Sequence, residues 1–171
     1  MKIFYLLKKN ILNFLFYINL PFVFLNKKNK NFLIFISSYN NSKFIQKNLS
    51  SIYKQTYKSY RIIYVDDNSS DDTEQKAKRF LKLFFDDKNY IFEKNNSRIG
   101  SLKSKYLSIH QHVSDNEIIV VLDGDDFFYT KFALEYLNYI YSKKNILATY
   151  GSYLNLSGKI NFQKKYSNKT I

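Results

Sequence analysis

The chain has no cysteine and no tryptophan, and only 4 glycines, 1 proline and 2 histidines in 171 residues. Without thiols there are no disulfides, no cysteine-based zinc sites and no thiol nucleophile. The two histidines, His110 and His112, stand two apart and cannot face one metal ion from a helix. Acidic residues are also scarce, 14 against 27 Lys and Arg, for a net charge of +13. Such an excess suits an anionic small molecule, an anionic lipid surface or nucleic acid. The basic residues are scattered, and no helix-turn-helix, finger or RNP-type signature accompanies them, so dedicated nucleic-acid binding is not expected.

What is present describes a folded domain. Hydrophobic residues make up 45% and charged residues 24%, with 16 Tyr and 16 Phe, a globular composition sized for one domain. Residues 1–30 read as a separate hydrophobic and basic segment. Its apolar run, ILNFLFYINLPFVFL, carries Asn13, Asn19 and Pro21 and falls short of the roughly 20 apolar residues of a spanning helix. Lys8 and Lys9 precede the run and no small-residue cleavage site follows it, which argues against a cleaved leader. The expectation is a helix that packs on the domain or lies on a membrane surface; the alternative is a membrane anchor with Lys27, Lys28 and Lys30 as its cytoplasmic basic flank. The expected location is the cytoplasm or the cytoplasmic face of a membrane.

From Asn31 to the end at Ile171 the hydrophobic period alternates between strand and helix. NFLIFIS, YRIIYVDD, YIFE and EIIVVL read as strands, and LATYGSY as a fifth. Between them, Ile45, Leu49 and Ile52 share a helical face behind a Ser42 N-cap, and Asp71 with Glu74 forms a capping box for the next helix. Leu102, Tyr106, Ile109 and Val113 define a third helical face, and Ala133, Leu137 and Ile140 a fourth. Strict alternation predicts an α/β fold with a mostly parallel sheet flanked by helices. Ligands of such sheets lie beyond the carboxyl ends of the strands. SSYNN, DDNSSDD and DGDD end the first, second and fourth strands, so the pattern brings them to one cleft. The three carboxylates Asp123, Asp125 and Asp126 are costly together. Like charges 4 Å apart repel by about 4 kcal/mol at an effective dielectric near 20, unless a cation or donors answer them.

The segments FISSYNN, IIYVDDNSSDDT, EKNNSRIGSLKSKYLSIH and IIVVLDGDDFF, in that order, resemble the glycosyltransferases of family 2, which have the Rossmann-like GT-A fold. The likeness covers about residues 31–153, and YIYSKKNILATYGSY after the last segment is similar to a subgroup with an Asp-Gly-Asp-Asp motif. The resemblance implies a metal-dependent transfer of sugar from a nucleotide diphosphate to a hydroxyl of a glycan, lipid or protein. It implies Mg²⁺ or Mn²⁺ at Asp125, with Asp123 contacting the ribose or the metal, and Asp126 near the donor sugar. Ser37 and Tyr39 match positions that face the nucleobase, and Asp67 the acceptor for uracil N3, which favours a UDP-sugar. Arg98, Lys103 and Lys105 fall where the family supplies charge to the diphosphate, Lys105 being the choice here; each also reads as part of a solvated helix face. Ser104 stands where the subgroup has Asn, and His110 resembles a residue with a packing or capping role.

A sugar-phosphate nucleotidyltransferase would need a glycine-rich loop after the first strand, and SSYNN has no glycine. The family's general base and acceptor site lie well after the acidic motif. Here about 45 residues follow Asp126, and the tail NLSGKINFQKKYSNKTI has no Asp, Glu or His. The expectation is the donor-binding half of a transferase, truncated on its C-terminal side. The alternative is a non-catalytic nucleotide-sugar-binding module.

Overall fold

The computed structural model describes residues 29–143, 146–149 and 151, and the backbone of 153–154 and 160–161. Most of the segment 1–30 lies outside the described residues. Four strands, β1 (Asn31–Ser38), β2 (Tyr60–Asp66), β3 (Tyr90–Lys94) and β4 (Glu117–Asp123), form one sheet in the order β3-β2-β1-β4. Every pairing is parallel, with Ser38 opposite Asp66 and Ser37 opposite Asp123. The chain moves outward from β1 to β3 and then returns to the other side of β1. The strand order therefore reverses between β1 and β4, which is where such sheets open a crevice for ligand.

Parallel strands covered on both faces read as unbroken apolar runs, and β1 is one: Phe32 through Ile36 are fully buried. On one face Phe32, Ile34, Ile36, Ile62, Tyr64 and Leu122 meet helices α1 (Ile45–Tyr53), α2 (Thr73–Phe84) and α4 (Ala133–Lys143). Ala77, Phe80 and Leu81 supply the i, i+3, i+4 stripe of α2. On the other face Leu33, Phe35, Ile63 and Val65 pack, among the described residues, against Ile91 of β3, Ile109 of α3 (Ser101–His112) and Val113. That cover stops short of β4, whose Ile119 and Val121 are 38% and 47% exposed.

Four local expectations are corrected. First, α1 begins at Ile45 with Phe44 as N-cap; the Ser42 N–H is instead taken by Asp71 Oδ2 at 3.1 Å. Second, Asp71 lies ahead of the α2 N-cap, Asp72. It turns into Thr73 N–H at 3.0 Å, while Glu74 pairs with Lys78 and Lys94 at 2.6 Å each. Third, Leu102 and Tyr106 of α3 are 81% and 63% exposed, and the helix turns Ser104 and Ser108 inward. Small hydroxyls win those positions because polar partners await them: Asn95 and Asp67 for Ser104, Glu93 for Ser108. Fourth, among the described residues of 147–153 none joins the sheet as a fifth strand. Residues 146–149 are irregular, and Tyr153–Leu154 pairs only with Ile160–Asn161, as a separate antiparallel pair, β5 and β6.

The lower end of α3 is pinned by charge. Arg61 on β2 makes two 2.6 Å bonds to Glu117 on β4 and a third, of 2.5 Å, to the His112 carbonyl. His112 also meets Glu93 at 2.7 Å, and His110 lies against Tyr106 with ring centroids 4.3 Å apart. The two histidines are thus engaged on different sides of the helix.

Candidate functional site

The carboxyl ends of β1, β2 and β4 carry their hydrogen bonds on into the loops. Asp67 N–H donates to Ser38 O at 2.8 Å, and Gly124 N–H to Ser37 O at 2.9 Å. The loops after β1 and β2 are then stitched to each other. Asn40 and Asn68 both take the left-handed conformation, φ 52° and 62°, which asparagine tolerates better than most residues. Asn40 N–H donates to Ser69 Oγ and its side-chain oxygen accepts from Ser70 N–H, both at 2.9 Å. Asn41 N–H donates to Thr73 Oγ1 at 2.8 Å. Two polar loops that look ordinary one at a time form a single rigid rim.

Asp67 is the centre of the second loop and is 2% exposed. Its Oδ1 accepts from Asn95 Nδ2 at 2.7 Å and Ile99 N–H at 2.9 Å, and its Oδ2 from Gly100 N–H at 2.8 Å. Burial would push this carboxyl up; the bonds from Ile99, Asn95, Gly100 and Ser104 outweigh it and hold the group below the usual carboxylate range. Gly100 has φ +88°, so only glycine turns the chain into α3 there without strain. Asp67 thereby fixes the loop 95–100, and Oδ2 keeps capacity for one more donor. That loop carries Arg98 to Tyr39, where the guanidinium stacks 4.0 Å from the ring centroid.

The acidic turn follows β4. Asp126 N–H closes it on Asp123 O at 3.0 Å. Asn48, buried on α1, donates to the Asp123 carbonyl at 3.1 Å and to the Asp126 carbonyl at 2.7 Å. Gly124 is required by space: a Cβ there would lie 2.6 Å from Ser38 Oγ and 2.8 Å from Asn41 Nδ2. The carboxylates of Asp123, Asp125 and Asp126 are on exposed residues. Desolvation first, and then the charges of Asp125 and Asp123, raise the Asp126 carboxyl above its ordinary value.

Of the residues singled out from sequence, Ser37, Tyr39, Asp67, Asp123, Asp125 and Asp126 stand along this one edge of the sheet. Ser37 is 8% exposed. Lys105 is half-buried one turn into α3 and Lys103 is exposed beside it; neither pairs with a carboxylate among the described residues. Among the described residues no three carboxylate or imidazole groups converge as a complete metal cage. Sequence reading missed Asn48, Asn95 and the Asn40–Ser69 stitch. Asn48 had left a signal: it is polar at i+3 of the stripe Ile45, Leu49, Ile52, at a position that the helix must bury.

Residues 33–168 match the family model described as glycosyl transferase family 2. A UDP-Glc:alpha-D-GlcNAc-diphosphoundecaprenol beta-1,3-glucosyltransferase of Escherichia coli is 31% identical over 120 residues, 70% of this chain and 44% of that enzyme. Staphylococcus aureus TarS, as residues 1–349, superposes with a TM-score of 0.55 at 23% identity, covering 63% of this chain and 31% of that one. The mannosyltransferase PcManGT from Pyrobaculum calidifontis, in complex with GDP-Man and Mn²⁺, gives 0.56 at 18% identity over 63% and 31%. The chain spans less than half the length of this curated relative and about a third of the structures it matches. The sheet with its switch point, its helical layers and these likenesses make the fold GT-A, and the chain belongs to glycosyl transferase family 2.

Proposed function

We propose that the chain binds a nucleotide diphosphate sugar, with UDP-sugars favoured, and forms the donor side of a metal-dependent glycosyltransferase at the cytoplasmic face of a membrane. The observation that carries this reading is the alignment of Tyr39, Asp67 and the turn 123–126 along the edge where the strand order reverses. Tyr39 offers a ring face to the base, and Asp67 Oδ2 a spare acceptor for an N–H such as that of uracil. A TarS complex with UDP-GlcNAc and the lipid-diphosphate acceptor in the name of the E. coli enzyme support a UDP-sugar donor and a lipid-borne hydroxyl acceptor.

The acidic turn fits a hard cation. Two carboxylates, Asp123 and Asp125, fall short of a complete cage, and Mg²⁺ is commonly held by one or two carboxylates with substrate phosphates supplying further oxygens. When bound there, Mg²⁺ or Mn²⁺ would neutralise charge on the diphosphate. The chain's own residues do the rest: the rim orients the base, Asn48 and Gly124 hold the turn in place, and Asp126 reaches toward the sugar. In transfer, the acceptor oxygen bonds to the anomeric carbon as the bond from that carbon to the diphosphate oxygen breaks. The nucleotide leaves with the electron pair, and the acceptor proton goes to a base.

A second reading, a nucleotide-sugar-binding module without turnover, is favoured by one observation. Past Asp126 the described residues hold one carboxylate, Glu135, and Thr56 already engages it at 2.8 Å. Thermal unfolding with UDP- and GDP-sugars, with and without Mn²⁺, tests binding: saturation at 100 times Kd adds about 2.7 kcal/mol. Stabilisation by UDP-sugars that disappears in Asp125→Asn supports the site, and none with any nucleotide sugar refutes it. Single-turnover transfer to a polyprenyl diphosphate sugar separates the enzyme from the module.

A further inference from the structure

We propose that the groove between α1 and α2 is a docking surface for a bilayer carrying anionic headgroups. Its purpose rests on the proposed transfer to a lipid-borne acceptor, while its test needs neither donor nor turnover. The groove has a volume of about 410 Å³; Ile45, Phe80, Leu83 and Phe84 line it together with Lys76 and Arg79 and the polar Ser42 and Gln46. Leu83 is 66% exposed, and Phe84 and Tyr53 45% each. Tyr53 packs on Phe84 at 5.4 Å and on Phe85 at 5.8 Å, while Phe84 packs on Phe80 at 4.5 Å. Rings and a leucine are thus held together at the surface rather than scattered.

Unpaired cations stand around this apolar strip, and the exposed carboxylates near it are Asp72 and, just past Phe85, Asp86 and Asp87. Lys43, Lys54 and Arg79 are exposed, and none pairs with a carboxylate among the described residues. Lys76 does pair, with Asp72 at 3.5 Å. Exposed rings and leucine at the centre with Lys and Arg around them are the composition of an interfacial membrane face: apolar groups enter the headgroup boundary while cations meet anionic lipid. The same helices reach the cleft. Asn48 of α1 holds the acidic turn, and Lys47 beside it lies over the Phe127 ring at 3.8 Å. The groove runs from Ser42 and Ile45, beside the cleft loops, to Phe84 at the far end of α2, so a bilayer along it would hold the domain, cleft loops included, at the membrane surface. Leu102, Tyr106 and Leu107 of α3 are exposed as well, and nothing in the structure shows what covers them.

The absence of tryptophan makes a clean reporter available. Leu83→Trp, in the full chain, should blue-shift and be quenched by brominated lipid with vesicles of phosphatidylcholine and phosphatidylglycerol, and do neither with phosphatidylcholine alone. Leu102→Trp, on the opposite layer, should not respond. Adding Arg79→Glu and Lys54→Glu to the Leu83→Trp chain should weaken partitioning at least about tenfold, with circular dichroism unchanged. Three results overturn the proposal: silence at position 83, an equal response at position 102, or a response that survives the charge reversal. The apolar run in residues 1–30 cannot mimic the expected result, because the signal reports position 83 alone.

Discussion

The guanidinium of Arg98 lies over the ring of Tyr39, 4.0 Å from its centroid. The ring proposed to receive the nucleobase therefore already has one face covered. An exposed contact of this kind contributes about 0.5–1 kcal/mol. If a base must displace it, Arg98→Ala should bind uridine about 2–5-fold more tightly, while UDP loses a cation and binds more weakly. Calorimetry with both ligands decides. Weaker uridine binding in the variant would show that the arginine, and not the bare ring, holds the base.

Gly124→Ala should destabilise the protein by about 1–3 kcal/mol, the usual range for overpacking. Its Cβ would fall 2.6 Å from the Oγ and 2.7 Å from the Cβ of Ser38, a buried residue with little room to move. Urea denaturation gives the number. A double variant with Ser38→Gly should recover part of the loss, and no recovery would locate the strain elsewhere.

Asp67→Asn should cost about 1–3 kcal/mol of stability even without ligand, because an amide presents a donor to N–H groups that now point at a carboxylate. Ile99 and Gly100 are those donors. Faster amide exchange at these two residues, measured by NMR, would accompany the loss. Unchanged exchange would remove the loop-organising role.

The acidic turn carries a pH signature. The Asp126 carboxyl is raised above its ordinary 3.8, by desolvation first and then by Asp125 and Asp123. Its contribution to stability is therefore full below the unfolded value and is lost as pH rises through the folded one, so the charge is a standing penalty at neutral pH. Asp126→Asn should raise the melting temperature at pH 7 and leave it unchanged well below the ordinary value. Asp71 behaves in the opposite sense. Burial would raise it, but bonds from Thr73 and Ser42 lower it to about 2. Its contribution is present above 3.8 and disappears as pH falls toward about 2, so Asp71→Asn should flatten the acid limb of the stability curve. Melting scans across pH check both variants, and matching shifts in the two would contradict the assignment.

The four parallel strands were legible because burial on both faces leaves an unbroken apolar run, as in NFLIFIS, and such runs are hard to mistake. The cleft was legible because parallel connectivity alone sends every strand's carboxyl end to one edge. Helix faces were less so. Leu102 and Tyr106 looked like core because periodicity reports which residues share a side, and not which side meets the sheet. Ser104 and Ser108 took the inner side through Asp67, Asn95 and Glu93, partners far away in sequence. The caps failed for a similar reason. Asp71 and Ser42 are a pair joined across two loops, and a local cap motif is read within one.

The strand order has a consequence for the growing chain. β1 is central, yet its partner on one side, β4, begins only at Glu117, about 80 residues after β1 ends at Ser38. At about 5–20 residues per second of synthesis, the Asn31–Ser37 edge waits roughly 4–16 s on the ribosome with its backbone groups unpaired. Through that interval Phe32 to Ile36 form an apolar edge open to other nascent chains. Translation speed between Ser38 and Glu117, and chaperone contact with that edge, should therefore govern the yield of folded protein more strongly than the stability of the finished sheet.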